Sequence, residues 1–287
     1  MAHFWIILVG IIAAGSCSLL GCFLILRKMA MIGDAISHAI LPGLVIAFLL
    51  SETRSSLPML IGAAVVGLLT TFFIEFLSTK ARLQSDASIG ITFTFLFAVG
   101  IILVSLYTSK IDLDQDCVLF GEIAYVPLDM IRLESGFQLG PRALWISCFN
   151  FLLVVSFVIF GYKGLQITTF NPEFAKSVGI NILVWQYALM GSVSLTTVLN
   201  FELVGAILVV AFLIVPPATA YLCTHKLKSM LMLSLLFAAL SALLGFFIAS
   251  WLRGSIAGGM ATASGVLFFL TFLVKQLYKK RLSTGNG

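Results

Sequence analysis

The chain has 287 residues, 60% of them hydrophobic and only 10% charged, with a mean hydropathy of +1.12 and a net charge of +5. Soluble domains carry about 25% charged residues, so this composition excludes a core wrapped in water-facing polar surface. The long, repeated apolar runs describe a polytopic membrane protein instead.

Nine apolar segments are predicted, at 4–26, 29–50, 57–78, 87–107, 142–162, 182–199, 203–223, 230–250 and 255–274. Most approach the roughly 20 residues that cross a hydrocarbon layer. The first, "FWIILVGIIAAGSCSLLGCFLIL", is too long for a signal-peptide core and has no basic stretch before it, so it is read as a retained helix. Segment 182–199 is short and runs into "LNFELVG", where Asn200 and Glu202 interrupt the apolar pattern. It is either a full span or a broken, partly re-entrant helix, and Glu202 at its outer end could line an entrance. "FLIVPPATAYL" places Pro216 and Pro217 deep in the next span, where two missing N–H groups must break or kink a helix. Such a kink is a gating joint or a packing feature. The last span contains "GSIAGGMATASG", whose small residues recur every four positions, a pattern that lets helices approach closely within one chain or between chains. The five cysteines, Cys17, Cys22, Cys117, Cys148 and Cys223, form no CxxC pair or metal-finger spacing.

The loops set an orientation. Twelve of the 17 lysines and arginines, from Arg27 and Lys28 through Lys80, Arg82, Lys163, Lys176, Lys226 and Lys228 to the C-terminal cluster, fall in one alternating set of loops. By the excess of basic residues that set is cytoplasmic, with the N-terminus outside and the C-terminus inside. The longest outer connection, 108–141, has net charge −4, with Asp112, Asp114, Asp116, Glu122, Asp129 and Glu134 against Lys110 and Arg132. It is expected to pack over the outer mouth and raise the local cation concentration. On the other side, 163–181 contains "TTFNPEFAKSVGIN". Asn171 is a good helix-start residue, Pro172 suits the first helical position, Glu173 the first turn and Gly179 the end, so a short helix of about 171–181 is expected in a cytoplasmic loop.

Within the second segment, "GDAISHAILPG" puts Asp34 and His38 four apart, on one helical face, about 9 Å and more from the cytoplasmic edge. A charge at the bilayer centre costs about 2.5–3.5 kcal/mol, so such a residue faces a cavity or a partner. One carboxylate and one imidazole suit Mn²⁺, Fe²⁺ or Zn²⁺ better than Mg²⁺ or Ca²⁺. Two ligands make a weak site, but two copies of the chain about a twofold axis would supply four, and a conduit must let its ion leave. The competing reading is structural, with Asp34 capping a neighbouring helix and His38 serving a backbone carbonyl. No G-x-x-x-x-G-K-[ST] is present, so the chain has no P-loop of its own, and no H-E-x-x-H marks a zinc protease.

"RKMAMIGDAISHAILPG" (27–43), "LVGAILVVAFLIVPPATAYL" (203–222) and "FNPEFAKSVGI" (170–180) resemble the membrane permeases of bacterial ABC importers for manganese, zinc and iron. The resemblance covers nearly the whole chain, and "DLDQDCVLFGEIAYVPLD" (112–129) is similar to the manganese-type branch. It implies an all-α permease domain over residues 1–287 with eight to nine transmembrane helices in a bacterial plasma (inner) membrane. It implies a metal path through Asp34 and His38, paired permease subunits, separate ATP-binding cassette ATPase subunits and an extracytoplasmic metal-binding lipoprotein. It further implies a coupling helix that docks on the ATPase through Pro172, Glu173, Phe174, Ala175 and Gly179, with Phe174 standing where the importers' E-A-A-x-x-x-G pattern has its first alanine. No cofactor is expected on this chain, which would carry its metal as cargo and leave ATP to the partner; lipids surround it and no nucleic acid is involved. The alternative from another class is an ion-coupled secondary transporter with Asp34 as a proton or sodium site. The cytoplasmic helix argues against it, because such a carrier has no ATPase to touch.

Overall fold

The structure, a computed structural model, describes residues 2–51, 56–107, 123–128, 130–132 and 138–284. Its helices are α1 (Ala2–Leu26), α2 (Ile32–Ala39), α3 (Leu41–Ser51), α4 (Ser56–Lys80), α5 (Ser85–Tyr107), α6 (Arg142–Phe170), α7 (Pro172–Ser177), α8 (Ile182–Val204), α9 (Ala206–Cys223), α10 (Leu227–Leu252) and α11 (Ile256–Thr284). Among the described residues nine helical stretches are long and apolar enough to cross a membrane, one for each segment read from the sequence. The fold is all-α apart from a small antiparallel hairpin, β1 (Met130–Arg132) with β2 (Gln138–Pro141), which follows a 3-10 turn at Ile123–Leu128. Ile123 and Val126 are buried in the bundle, and Gly140 lies against the indole of Trp5 in the first turn of α1. The described part of this connection therefore packs against the start of α1. The connection's carboxylates Asp112, Asp114, Asp116, Glu122, Asp129 and Glu134 lie outside the described residues.

Several boundaries differ from the sequence reading, each for a physical reason. The second span is interrupted at Ile40. Pro42 has no N–H to offer the His38 carbonyl, so the ladder restarts with Gly43 and Leu44 both donating to the Ile40 oxygen, at 2.9 and 3.1 Å. Helix α6 runs eight residues past 162, through Lys163 to Phe170, because a lysine can carry its charge out to water while its helix continues. Segment 182–199 is neither broken nor re-entrant but part of the 23-residue α8. Asn200 does not interrupt it: its amide is fully buried and donates to Ser16 Oγ at 3.2 Å. The helix ends at Gly205, whose φ of +85° makes it the single residue between α8 and α9. The double proline does not break α9, which runs through Pro216 and Pro217 with both rings buried. Pro217 leaves the Leu213 carbonyl without its helical donor, and Gly21 of α1 packs against that oxygen with no room for a side chain. In α11, Gly259 packs on Gly245 and Ala249 of α10, so this part of the small-residue stripe serves packing inside the chain.

A buried polar layer fixes how the central helices are rotated. Asn150 Nδ2 donates to Ser16 Oγ at 3.3 Å, and Thr196 Oγ1 donates to Asn150 Oδ1 at 3.2 Å. With Asn200 these bonds tie α1, α6 and α8 together, and all four side chains are fully buried. Lipid is as apolar as leucine, so hydrogen bonds and close packing set helix register where hydrophobic burial cannot. Replacing Asn150 with leucine should therefore lower stability by about 1–2 kcal/mol, read as a reduced melting temperature in detergent. Leucine at the adjacent Phe149, which is 64% exposed, should leave the melting temperature unchanged.

Candidate functional site

The chain reaches Asp34 through a tight reversal. Helix α1 ends in a Schellman turn: Met29 N donates to Leu24 O at 2.9 Å and Lys28 N to Ile25 O at 3.0 Å, with Lys28 at φ +60°. Helix α2 then starts at Ile32, and Asp34 falls in its first turn, where the unpaired N–H groups favour a carboxylate. One turn on, His38 Nε2 lies 3.6 Å from Asp34 Oδ1. The imidazole rests against two rings of α5, Phe93 at 5.5 Å and Phe97 at 5.9 Å between centroids.

Helix α2 sorts its residues cleanly. Ile32, Gly33, Ala35, Ile36, Ser37 and Ala39 are buried. Gly33 meets Leu213 of α9 so closely that no side chain would fit without displacing it. Leu213, one turn before Pro216 and Pro217, thus lies directly behind the turn that carries Asp34. The opposite face is open: the Asp34 side chain is 40% exposed and that of His38 34%. Among the described residues no group of three or more His, Cys, Asp or Glu side chains gathers anywhere. One chain therefore presents a carboxylate oxygen and an imidazole nitrogen side by side on a partly exposed face. Glu202 sits in the last turn of α8, and its side chain lies outside the described residues.

The short helix between α6 and α8 forms where its sequence predicts, over Pro172–Ser177 rather than the expected 171–181. Asn171 Oδ1 accepts from Phe174 N at 3.1 Å, and Pro172 takes the first helical position. Gly179 at φ +79° closes the helix with Ile180 N donating to Ala175 O at 2.9 Å and Gly179 N to Lys176 O at 3.1 Å. Asn181 then caps α8 by accepting from Leu183 N and Val184 N. Ala175 is fully buried within the chain, where it anchors the helix. Phe174 and Val178, 52% and 57% exposed, form the apolar outer face. The sequence reading missed Phe93 and Phe97; their period of four on one face of α5 was visible, but a Phe pair in an apolar span carries no mark of its neighbour.

A family profile described as the ABC 3 transport family matches residues 2–276. The chain is 47% identical over 285 residues to the manganese transport system membrane protein MntD of Bacillus subtilis (strain 168), covering 98% of this chain and 96% of that one. It is 40% identical over 274 residues to the zinc transport system membrane protein TroD of Treponema pallidum (strain Nichols), covering 93% and 72%. Among solved structures it is similar to PsaBC from Streptococcus pneumoniae in complex with Fab, with a TM-score of 0.77, 33% identity, and coverage of 96% of this chain and 93% of that one.

The caps of α7 give a separable prediction. A Cβ on Gly179 would meet nothing within 4 Å, so alanine there adds only backbone strain, about 1 kcal/mol. Alanine at Asn171 removes a cap of about the same worth. Each should speed amide exchange across α7 about fivefold, measured by hydrogen exchange on the detergent-solubilised protein.

Proposed function

The chain belongs to the ABC 3 transport family, and we propose that it is the subunit through which an ATP-driven importer passes Mn²⁺ into the cytoplasm. As a member it is a membrane-spanning permease, a transporter component rather than an enzyme, and a multi-pass protein of the bacterial inner membrane. Permeases of this family work with ATPase and substrate-binding partners. The finer statements here concern the cargo, the path and the contacts.

The open Asp34–His38 face carries the reading. A carboxylate inside a membrane span does not face lipid, and 40% of this one is uncovered in the single chain. A second permease, identical or homologous, brought against that face would supply the other half of the site: two carboxylates and two imidazoles, a donor set for Mn²⁺, Fe²⁺ or Zn²⁺. Mn²⁺ is favoured by the likeness to MntD, with zinc next by the likeness to TroD. The metal is cargo; no cofactor is assigned to the chain, and ATP belongs to the partner subunits. The basic loops put the N-terminus outside and the C-terminus in the cytoplasm. On that orientation the segment over α1 faces the metal-delivering lipoprotein, with Glu202 near the entrance. Pro216 and Pro217 form a joint one turn after Leu213, and the Phe174–Val178 face of α7 docks on the ATPase.

Asp34→Asn keeps the shape of the site and removes its charge, and His38→Ala removes the nitrogen. In cells lacking other manganese importers, each should reduce Mn²⁺ uptake to background while membrane levels of the protein and its co-purifying ATPase hold. Normal uptake by both variants would make the pair structural. Phe174→Asp should leave insertion intact and release the ATPase, because a charge in an apolar contact goes unpaired. Competition among Mn²⁺, Zn²⁺ and Fe²⁺ for uptake by the unmodified protein ranks the cargo.

A further inference from the structure

Four helix ends converge around Arg27, the residue that follows α1. Its Nε donates to Thr169 Oγ1 at 3.0 Å, its Nη2 to Thr168 Oγ1 at 2.9 Å and its Nη1 to Gln186 Oε1 at 2.9 Å. Gln186 passes the connection on, its Nε2 donating to Glu75 Oε2 at 2.9 Å and lying 3.8 Å from Met29 Sδ. Thr79 holds the other carboxylate oxygen, Glu75 Oε1, at 3.1 Å. The guanidinium thus spends its donors on neutral oxygens, and the glutamate is reached only through the glutamine amide. That amide has one workable orientation, oxygen to the arginine and nitrogen to the carboxylate.

The placement of these residues gives the cluster its meaning. Thr168 and Thr169 close α6 just before the coupling helix, and Gln186 lies in the second turn of α8 just after it. The cluster therefore grips both legs of α7. Those legs are also locked together, since Trp185 packs on Gly161 and Gly164 of α6. Arg27 and Met29 belong to the Schellman turn that starts the chain toward Asp34. A displacement of α7 moves Thr168, Thr169 and Gln186 as one body relative to Arg27 and Glu75. Hydrogen bonds of this geometry do not stretch by an ångström; they break or hold.

We propose that Arg27, Gln186 and Glu75 form a polar latch through which movement of the coupling helix reaches the Asp34–His38 helix. Closed, the latch fixes the α1–α2 turn against α4, α6 and α8. When α7 shifts, the Gln186 amide leaves Arg27 and Glu75 and the turn is free to move. This rests on the reading of α7 as the ATPase docking element. These are positioning residues, touching neither metal nor nucleotide.

The test uses the permease assembled with its ATPase in proteoliposomes, with delivery protein and Mn²⁺ supplied, and reads ATP hydrolysed per Mn²⁺ imported. Gln186→Glu keeps a bond to Arg27 but sets a second carboxylate against Glu75. The ratio should rise about tenfold, as expected for loss of a charge-assisted bond, while the ATPase stays bound. The double variant Gln186→Glu with Glu75→Gln restores a donor facing an acceptor and should return the ratio to within about twofold of the unmodified complex. An unchanged ratio in the single variant, or a raised ratio that the second substitution fails to reverse, overturns the latch. If Gln186→Glu does not assemble, Thr169→Val, which removes one Arg27 partner at constant shape, decides in its place; a ratio unaltered there overturns the proposal equally. If the unmodified complex imports no Mn²⁺, or Phe174→Asp keeps its ATPase, the functional reading fails and the latch with it. If the unmodified complex transports and Phe174→Asp sheds the ATPase, a flat ratio condemns the latch alone.

Discussion

A carboxylate inside a bilayer-spanning segment must face water, a cation or another chain. That constraint organises the molecule around α2. The helix has small residues, Gly33, Ala35, Ser37 and Ala39, on its buried side, and the only ionisable pair of the span, Asp34 and His38, on the open side. Small residues let α2 press close to its neighbours, and the closeness leaves it one rotation. Turned by a quarter, the helix would drive Asp34 into Leu213 and expose Gly33. The packing of α2 against α9 is thus what aims the candidate ligands outward, and the interrupted ladder at Ile40 confines that rigid, aimed segment to eight residues.

The spans were legible because their cause is local. A run of some 20 apolar residues has no other stable place than the hydrocarbon layer, whatever it packs against. Their ends were less legible because charge and polarity are ambiguous locally. Lys163 reads as a membrane boundary, yet α6 continues past it to Phe170. Asn200 reads as a break, yet its amide is answered by Ser16, 184 positions away in the chain. Asn171, Pro172 and Gly179 announced α7, since caps act within four residues; Pro42 acts over the same range, yet the interruption it causes at Ile40 went unread inside the apolar run 29–50. Of the site, the Asp34–His38 spacing was legible for the same reason. Gln186 was not, because its meaning lies in Arg27 and Glu75, 159 and 111 positions distant.

Ala175 illustrates a different limit. A short amphipathic helix shows which residue types it carries, and both Phe174 and Ala175 are plausible contacts for a partner. Which one turns inward depends on how the legs enter and leave, and that is set by the Asn171 and Asn181 caps together with Trp185 wedged against α6. The outer face is left to Phe174 and Val178, four apart and on one side.

The Arg27–Gln186–Glu75 cluster has a magnitude suited to switching. Driving a two-state element from about 1:99 to 99:1 takes about 5.5 kcal/mol. Single polar bonds between membrane helices are worth roughly 0.6–1.7 kcal/mol, and those to charged groups roughly 1.5–3 kcal/mol. The three bonds from Arg27 and the one from Gln186 to Glu75 all involve a charged group, so their gross sum, roughly 6–12 kcal/mol, reaches the required size. The partners matter as much as the sum. A buried ion pair, once parted, leaves two uncompensated charges and a large barrier. Arg27 is held instead by two hydroxyls and an amide, and burial, which pulls its pKa below the ordinary value, is opposed by the charge of Glu75. Water can take over each of those neutral contacts as it opens.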